Sequence, residues 1–222
     1  MRRREFLTLS AASVGGLLVY TLQGEPLRIS GEEKPLRIPL RFFTREEALL
    51  VAAATARIFP SDESGPGARE ANVTVYIDRQ LAGPYGRDAH RYTHPPFEES
   101  EPEFGYQGKA TPREIYREGL KELEGFDRLS AQEQDRRLQA MEDSVFFRLL
   151  RTHTIEGMFC DPVHGGNAGM IGWQLIGYPG PRMSNAGDVE THYGQAFRPK
   201  PVNLEQLSQA FGRPYHPSED GE

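Results

Sequence analysis

The sequence predicts a mostly α-helical protein: an irregular helical domain with long Gly/Pro-rich loops, preceded by an N-terminal signal segment. Three observations predict it. Capping boxes recur along the chain, at Thr44 and Glu47, at Thr111 and Glu114, and at Ser130 and Glu133. The segment from Ala48 to Phe59 is apolar nearly all round, as a helix buried on most sides must be. The 17 prolines and 23 glycines are many for a helical protein, so long irregular connections join the helices and a compact up-down bundle is excluded.

Residues 1–22 read as a signal segment. Arg2, Arg3 and Arg4 form a basic start, Phe6 and Leu7 follow at once, and an apolar stretch runs from Leu7 to Tyr20. That stretch is shorter than the roughly 20 residues a membrane span needs. Arg3, Arg4, Phe6 and Leu7 resemble a twin-arginine signal, whose translocon exports proteins already folded. No Ala-x-Ala site follows, which leaves a cleaved leader and a retained anchor as alternatives. Residues 23–43 read as an extended linker punctuated by Pro26, Pro35 and Pro39.

The helical domain spans residues 44–181. Its first helix opens at Thr44 and stops at Pro60, before a turn-rich loop from Ser61 to Ala68. A second helix is expected from Ala71 to Leu81, with Val75, Ile77 and Leu81 facing the core. The β-branched run Val73-Thr74-Val75 also suits a strand, but Asp78-Arg79-Gln80-Leu81 continues without a turn and favours the helix. Gly83 to Gly108 is a long irregular stretch, of a length usually reserved for function or docking. Helices follow from Thr111 to about Leu123, with Pro112 at the first helical position, and from Ser130 to about Glu142. The next starts at Asp143 or Ser144, with Phe146, Phe147, Leu149, Leu150 and Ile155 as its expected buried side. Residues 182–222 read as an irregular tail.

At 222 residues, with 26% charged residues and a net charge of −6, the chain makes one ordinary domain. That mild acidity argues against nucleic acid, which would demand a basic face. The single cysteine, Cys160, forms no internal disulfide and cannot hold an iron–sulfur cluster, which takes about four thiolates. His90, His94, His192 and His216 lie in loop-like surroundings without a paired nucleophile.

The most distinctive stretch runs from Phe159 to Pro181. Three readings compete for it. As a phosphate loop it lacks both the Gly-x-Gly-x-x-Gly spacing and a Walker lysine. As a metal site, His153, Cys160, Asp161 and His164 are suitable ligand types at a spacing that matches no standard set. As a structural turn, Gly165-Gly166-Asn167 permits positive φ, Asp161 caps the turn, and a short helix with Trp173 and Ile176 packs on the core before Gly177-Tyr178-Pro179-Gly180 ends it. The structural reading is the default. Trp173 and Tyr178 are expected in core or turn packing. In the long loop Tyr85, Tyr92, Phe97, Phe104 and Tyr106 are aromatic anchors of the kind enriched at interfaces, or else cover the protein's own helices.

Asp161-Pro162, Gly165-Gly166-Asn167, Gly172-Trp173 and Gly177-Tyr178-Pro179-Gly180 together resemble the gluconate 2-dehydrogenase subunit 3 family. Phe147 to Gly157 and Tyr76 to Leu81 also look like that family, and the likeness runs from about Thr44 to Pro181. His164 departs from it, since an aromatic is expected there and the histidine would fill the same packing slot. The tail lies outside the likeness.

The resemblance implies a non-catalytic small subunit of a periplasmic FAD-dependent sugar or sugar-acid dehydrogenase, associated with the membrane. The FAD-containing large subunit would carry out the oxidation, with hydride passing from substrate to flavin, and a cytochrome c subunit would often take the electrons on. The small subunit would escort the large one through the twin-arginine translocon and stabilise it. No cofactor is expected in this chain.

Overall fold

The computed structural model describes residues 39–91, 94–97 and 101–212. Among them are eight α-helices: α1 (Arg45–Ile58), α2 (Val73–Ala82), α3 (Pro112–Glu122), α4 (Ala131–Ala140), α5 (Val145–Phe159), α6 (Ile171–Ile176), α7 (Ala186–Thr191) and α8 (Leu204–Ala210). No strand occurs among the described residues, and Val73-Thr74-Val75 opens a helix. No described helix is long and apolar enough to cross a membrane. Arg3, Arg4, Phe6 and Leu7 lie outside the described residues, as does Tyr92.

The predicted caps form. Thr44, Thr111 and Ser130 each accept a hydrogen bond from the backbone N–H three residues on, while Glu47, Glu114 and Glu133 reach back to the cap residue. Ser144 caps α5 by accepting from the Phe147 N–H at 3.0 Å. Helix α2 starts two residues later than expected, because Asn72 adopts a left-handed conformation (φ 59°) that closes the preceding turn.

Helix α1 crosses the centre of the molecule, packing on α2, α4 and α5. Its buried face is built from Ala48, Val51, Ala52, Ala53 and Ala54, and small side chains let the neighbouring helices come close. Val73, Ile77 and Leu81 on α2, Tyr116 and Leu120 on α3, Phe126, and Leu150 and Met158 on α5 fill the surrounding space. Burying each of the larger aliphatic or aromatic side chains contributes about 1.5–3 kcal/mol. Phe146 lies over Gly119 of α3, where an added Cβ would stand 2.0 Å from the ring. Arg57 at the end of α1 pairs with Asp135 of α4 through two bonds of 2.6 and 2.7 Å.

Four expectations need correction. The buried stripe of α5 is Phe146, Leu150, His153, Thr154, Gly157 and Met158, whereas Phe147 and Leu149 are half-buried and Ile155 is 40% exposed. The 3.6-residue period selects that stripe and turns Ile155 outward. The linker ends before residue 43, because the backbone N–H groups of Arg41, Phe42 and Phe43 all donate to the buried Asp78 carboxylate, at 2.7–3.0 Å. Phe43 is buried with them. The tail is not wholly irregular, since it carries α7 and α8 and its Asn203 is buried. Ile176 points to solvent with 60% of its surface exposed, and only Trp173 of that helix face enters the core.

Candidate functional site

The signature stretch begins where α5 ends. Asn167, fully buried and left-handed (φ 44°), sits at its centre. Its N–H donates to the Gly157 carbonyl at 2.7 Å and its own carbonyl accepts from the Met170 N–H at 2.8 Å. Its side-chain Nδ2 donates to the Cys160 carbonyl and its Oδ1 accepts from the Gly172 N–H, both at 2.8 Å. One residue thus ties the last turn of α5 to the start of α6. Asparagine suits this position because it tolerates left-handed φ and carries both a donor and an acceptor.

Asp161 works in two directions. Its Oδ1 accepts from the Val163 N–H at 3.1 Å, capping the single turn Pro162–His164 with Pro162 at its first position. Its Oδ2 accepts from the Leu204 N–H at 2.8 Å, which is the first residue of α8. Gly165 closes the Pro162–His164 turn, and Ala168 donates to the Ala71 carbonyl just before α2. His164 is exposed, so it does not fill the packing slot expected of it.

Gly172 is required by proximity: a Cβ there would stand 1.9 Å from the Met158 carbonyl oxygen. Trp173 is buried and donates its indole N–H to the Phe159 carbonyl at 2.7 Å. The Gly177 and Tyr178 amides return to the Gln174 and Trp173 carbonyls, a Schellman motif whose apolar contact is the Tyr178 ring against Trp173 at 5.1 Å. Gly180 (φ +84°) is held against Val202, whose N–H donates to the Pro179 carbonyl at 3.1 Å. The signature is therefore a clamp that joins α5, α6, the approach to α2 and the tail.

Most amides of the glycine run have partners within the protein. The amides of Gly165, Asn167, Ala168, Met170 and Gly172 are all bonded to protein carbonyl or side-chain oxygens, and the Gly166 amide is bonded to Cys160. None of these amides is left to cradle a phosphate. The structure does not bring His153, Cys160, Asp161 and His164 together as one ligand set. Among the described residues no group of three or more His, Cys, Asp or Glu side chains is placed to hold a metal. Cys160 is pushed up to about 12 by burial, which keeps it a thiol, while the Asp161 oxygens are taken by backbone.

His153 has a structural arrangement of its own. It is buried on α5, its Nδ1 lies 2.8 Å from the Tyr116 hydroxyl and its Nε2 lies 2.8 Å from the Tyr85 hydroxyl. A neutral imidazole has one N–H and one lone pair, so one tyrosine accepts and the other donates. Burial lowers the histidine to about 4 and raises Tyr85 to about 12. All three side chains therefore stay uncharged near neutrality. The sequence leaves Tyr85 open between a partner interface and cover for the protein's own helices, and offers His153 as a ligand only in the metal alternative. The signal that finds the pair is a histidine in the apolar stripe of α5, which calls for buried partners.

The remaining loop aromatics differ in exposure. Phe97 lies beneath the Arg91 guanidinium at 5.3 Å, and the Tyr106 hydroxyl accepts from the Ala110 N–H at 3.0 Å. Phe104 is 70% exposed. Arg91 organises this stretch by donating to the carbonyls of Gly108, Lys109 and Ala110.

A family model described as Gluconate 2-dehydrogenase subunit 3 matches residues 45–180, from the first helix to the last glycine of the clamp. No curated protein and no solved structure gives a significant match to the chain.

Proposed function

The chain belongs to the gluconate 2-dehydrogenase subunit 3 family, and on that premise we propose that it is the non-catalytic small subunit of a periplasmic FAD-dependent gluconate or sugar dehydrogenase complex. In this reading it escorts the flavoprotein subunit through twin-arginine export and stabilises it afterwards. The family membership itself implies other subunits. One observation supports the non-catalytic part: His153, Asp161 and most amides of the glycine run are engaged in holding the fold. His153 is held by two tyrosines, Asp161 by two amides, and the Gly165 and Gly172 amides by carbonyl and side-chain oxygens. In this reading FAD sits in the large subunit. The Arg3-Arg4-Glu5-Phe6-Leu7 leader supports folded export, which suits a partner already loaded with its cofactor.

The test is co-expression of the full chain with the FAD-containing large subunit encoded beside it, followed by purification through a tag on the small chain. A yellow complex of fixed stoichiometry, whose sugar oxidation resides in the large subunit, is the expected result. A small chain that purifies colourless and alone, or that oxidises a sugar by itself, contradicts the reading.

A further inference from the structure

Two apolar grooves lie on either side of the C-terminal end of α6. One, of about 470 Å³, is lined by Phe159, Trp173, Ile176, Tyr178, Pro181 and Leu204, with Asp161 at its edge. The other, of about 440 Å³, includes Ile58, Pro66, Leu175 and again Phe159 and Ile176, with Asp62 as its charged residue. Phe159 and Ile176 line both, so the two grooves adjoin. Leu175, Ile176 and Tyr178 are all at least partly open to solvent along them. A strip of open apolar side chains gathered along a groove is the kind of feature on which an interaction surface is built.

The charges select the occupant. The charged residues lining the two grooves are Asp62 and Asp161, with no Lys, Arg or His among the lining residues. Apolar walls strengthen the field of such carboxylates. A second copy meeting this patch about a two-fold axis would set the carboxylates against their own copies, which disfavours a homodimer. An anionic lipid surface is repelled for the same reason. A partner presenting apolar side chains flanked by Lys or Arg is favoured on both counts.

We propose that this strip, rather than the aromatic loop, seats an apolar segment of the dehydrogenase large subunit flanked by basic residues. The proposal rests on the subunit reading above. Ile176 is its central contact, lying between the two grooves, and Asp62 steers the approach.

The experiment measures binding of the large subunit to the full chain and to its variants, with thermal melting of each variant followed by circular dichroism. Leu175→Asp/Ile176→Asp is expected to weaken binding by about thirtyfold or more, as loss of a central apolar contact does, while melting stays unchanged. Asp62→Lys is expected to slow association by about tenfold and to flatten its salt dependence. Phe104→Asp in the loop is expected to bind normally. If the α6 double variant binds as the parent does, or if Phe104→Asp abolishes binding instead, the strip is not the seat and the subunit reading survives. If the parent chain pairs with itself and not with the large subunit, both fail. Should the aspartates disturb folding, a photo-crosslinking side chain at position 176 replaces them. Cross-links to the large subunit support the proposal, and a complex that forms without them overturns it.

Discussion

Asn167 engages its backbone N–H, its carbonyl and both ends of its side-chain amide within the protein. Asn167→Ala removes two buried hydrogen bonds and puts a Cβ-bearing residue without compensation at φ 44°. A loss of about 2–4 kcal/mol in urea unfolding is expected. Asn167→Gly relieves the backbone but not the lost bonds, and recovers only part of it. His153 gives a pH prediction. Unfolded, it takes up a proton near 6.5, and folded only near 4. Between those values the unfolded chain binds more protons, so stability falls as the pH falls from about 6.5 towards 4 and levels off below. The full difference is about 3 kcal/mol. His153→Gln, followed by urea unfolding across that range, loses this slope, and a variant that keeps the parent slope rules out His153 as its source. At this scale the sequence identifies a turn at Gly165-Gly166-Asn167 from residue type alone. The partners of Asn167 and His153 are not legible, because Gly172, Tyr85 and Tyr116 reach them through tertiary packing that no local pattern encodes.

Helices are the most legible elements, and their caps explain why. A capping box is a local chemical unit, satisfied within four residues, so Thr44, Thr111 and Ser130 mark starts that the structure keeps. Faces are harder. On α5 the buried stripe includes His153, Thr154 and Gly157, polar or small residues that hydrophobic patterning passes over, so Ile155 is misread as core. The docking of the tail is invisible for a similar reason: Asp161 and Leu204 are 43 positions apart. Two glycines test the clamp as an element. Gly172→Ala must move α6 away from the Met158 carbonyl, and a fall of about 2–3 kcal/mol in stability is expected. Gly180→Ala meets the Val202 carbonyl at 1.9 Å and also a left-handed backbone. Hydrogen exchange should then show faster exchange at the Val202 and Leu204 amides with α5 amides unchanged. Equal protection in parent and variant contradicts the clamp.

Among the described residues, His153, Asp161 and Asn167 are engaged within the fold, while open apolar side chains occur around α6 and also at Phe104, Met183, Tyr193 and Phe211. This arrangement supports the proposed role, in which the chain contributes a shape to an assembly. The clamp from Gly157 to Gly180 fixes α6 on α5, the tail packs on its far side, and the exposed Leu175, Ile176 and Tyr178 are held in place before any partner arrives. Preformed surfaces lose little entropy on binding, which suits an escort that must hold a folded flavoprotein. Export of the large subunit in cells whose small chain carries Arg3→Lys and Arg4→Lys tests the central claim most directly. The account predicts that the FAD-containing subunit and its sugar oxidation stay in the cytoplasm, while the unaltered leader delivers both to the periplasm. A flavoprotein that reaches the periplasm in the same amount with either leader would contradict it.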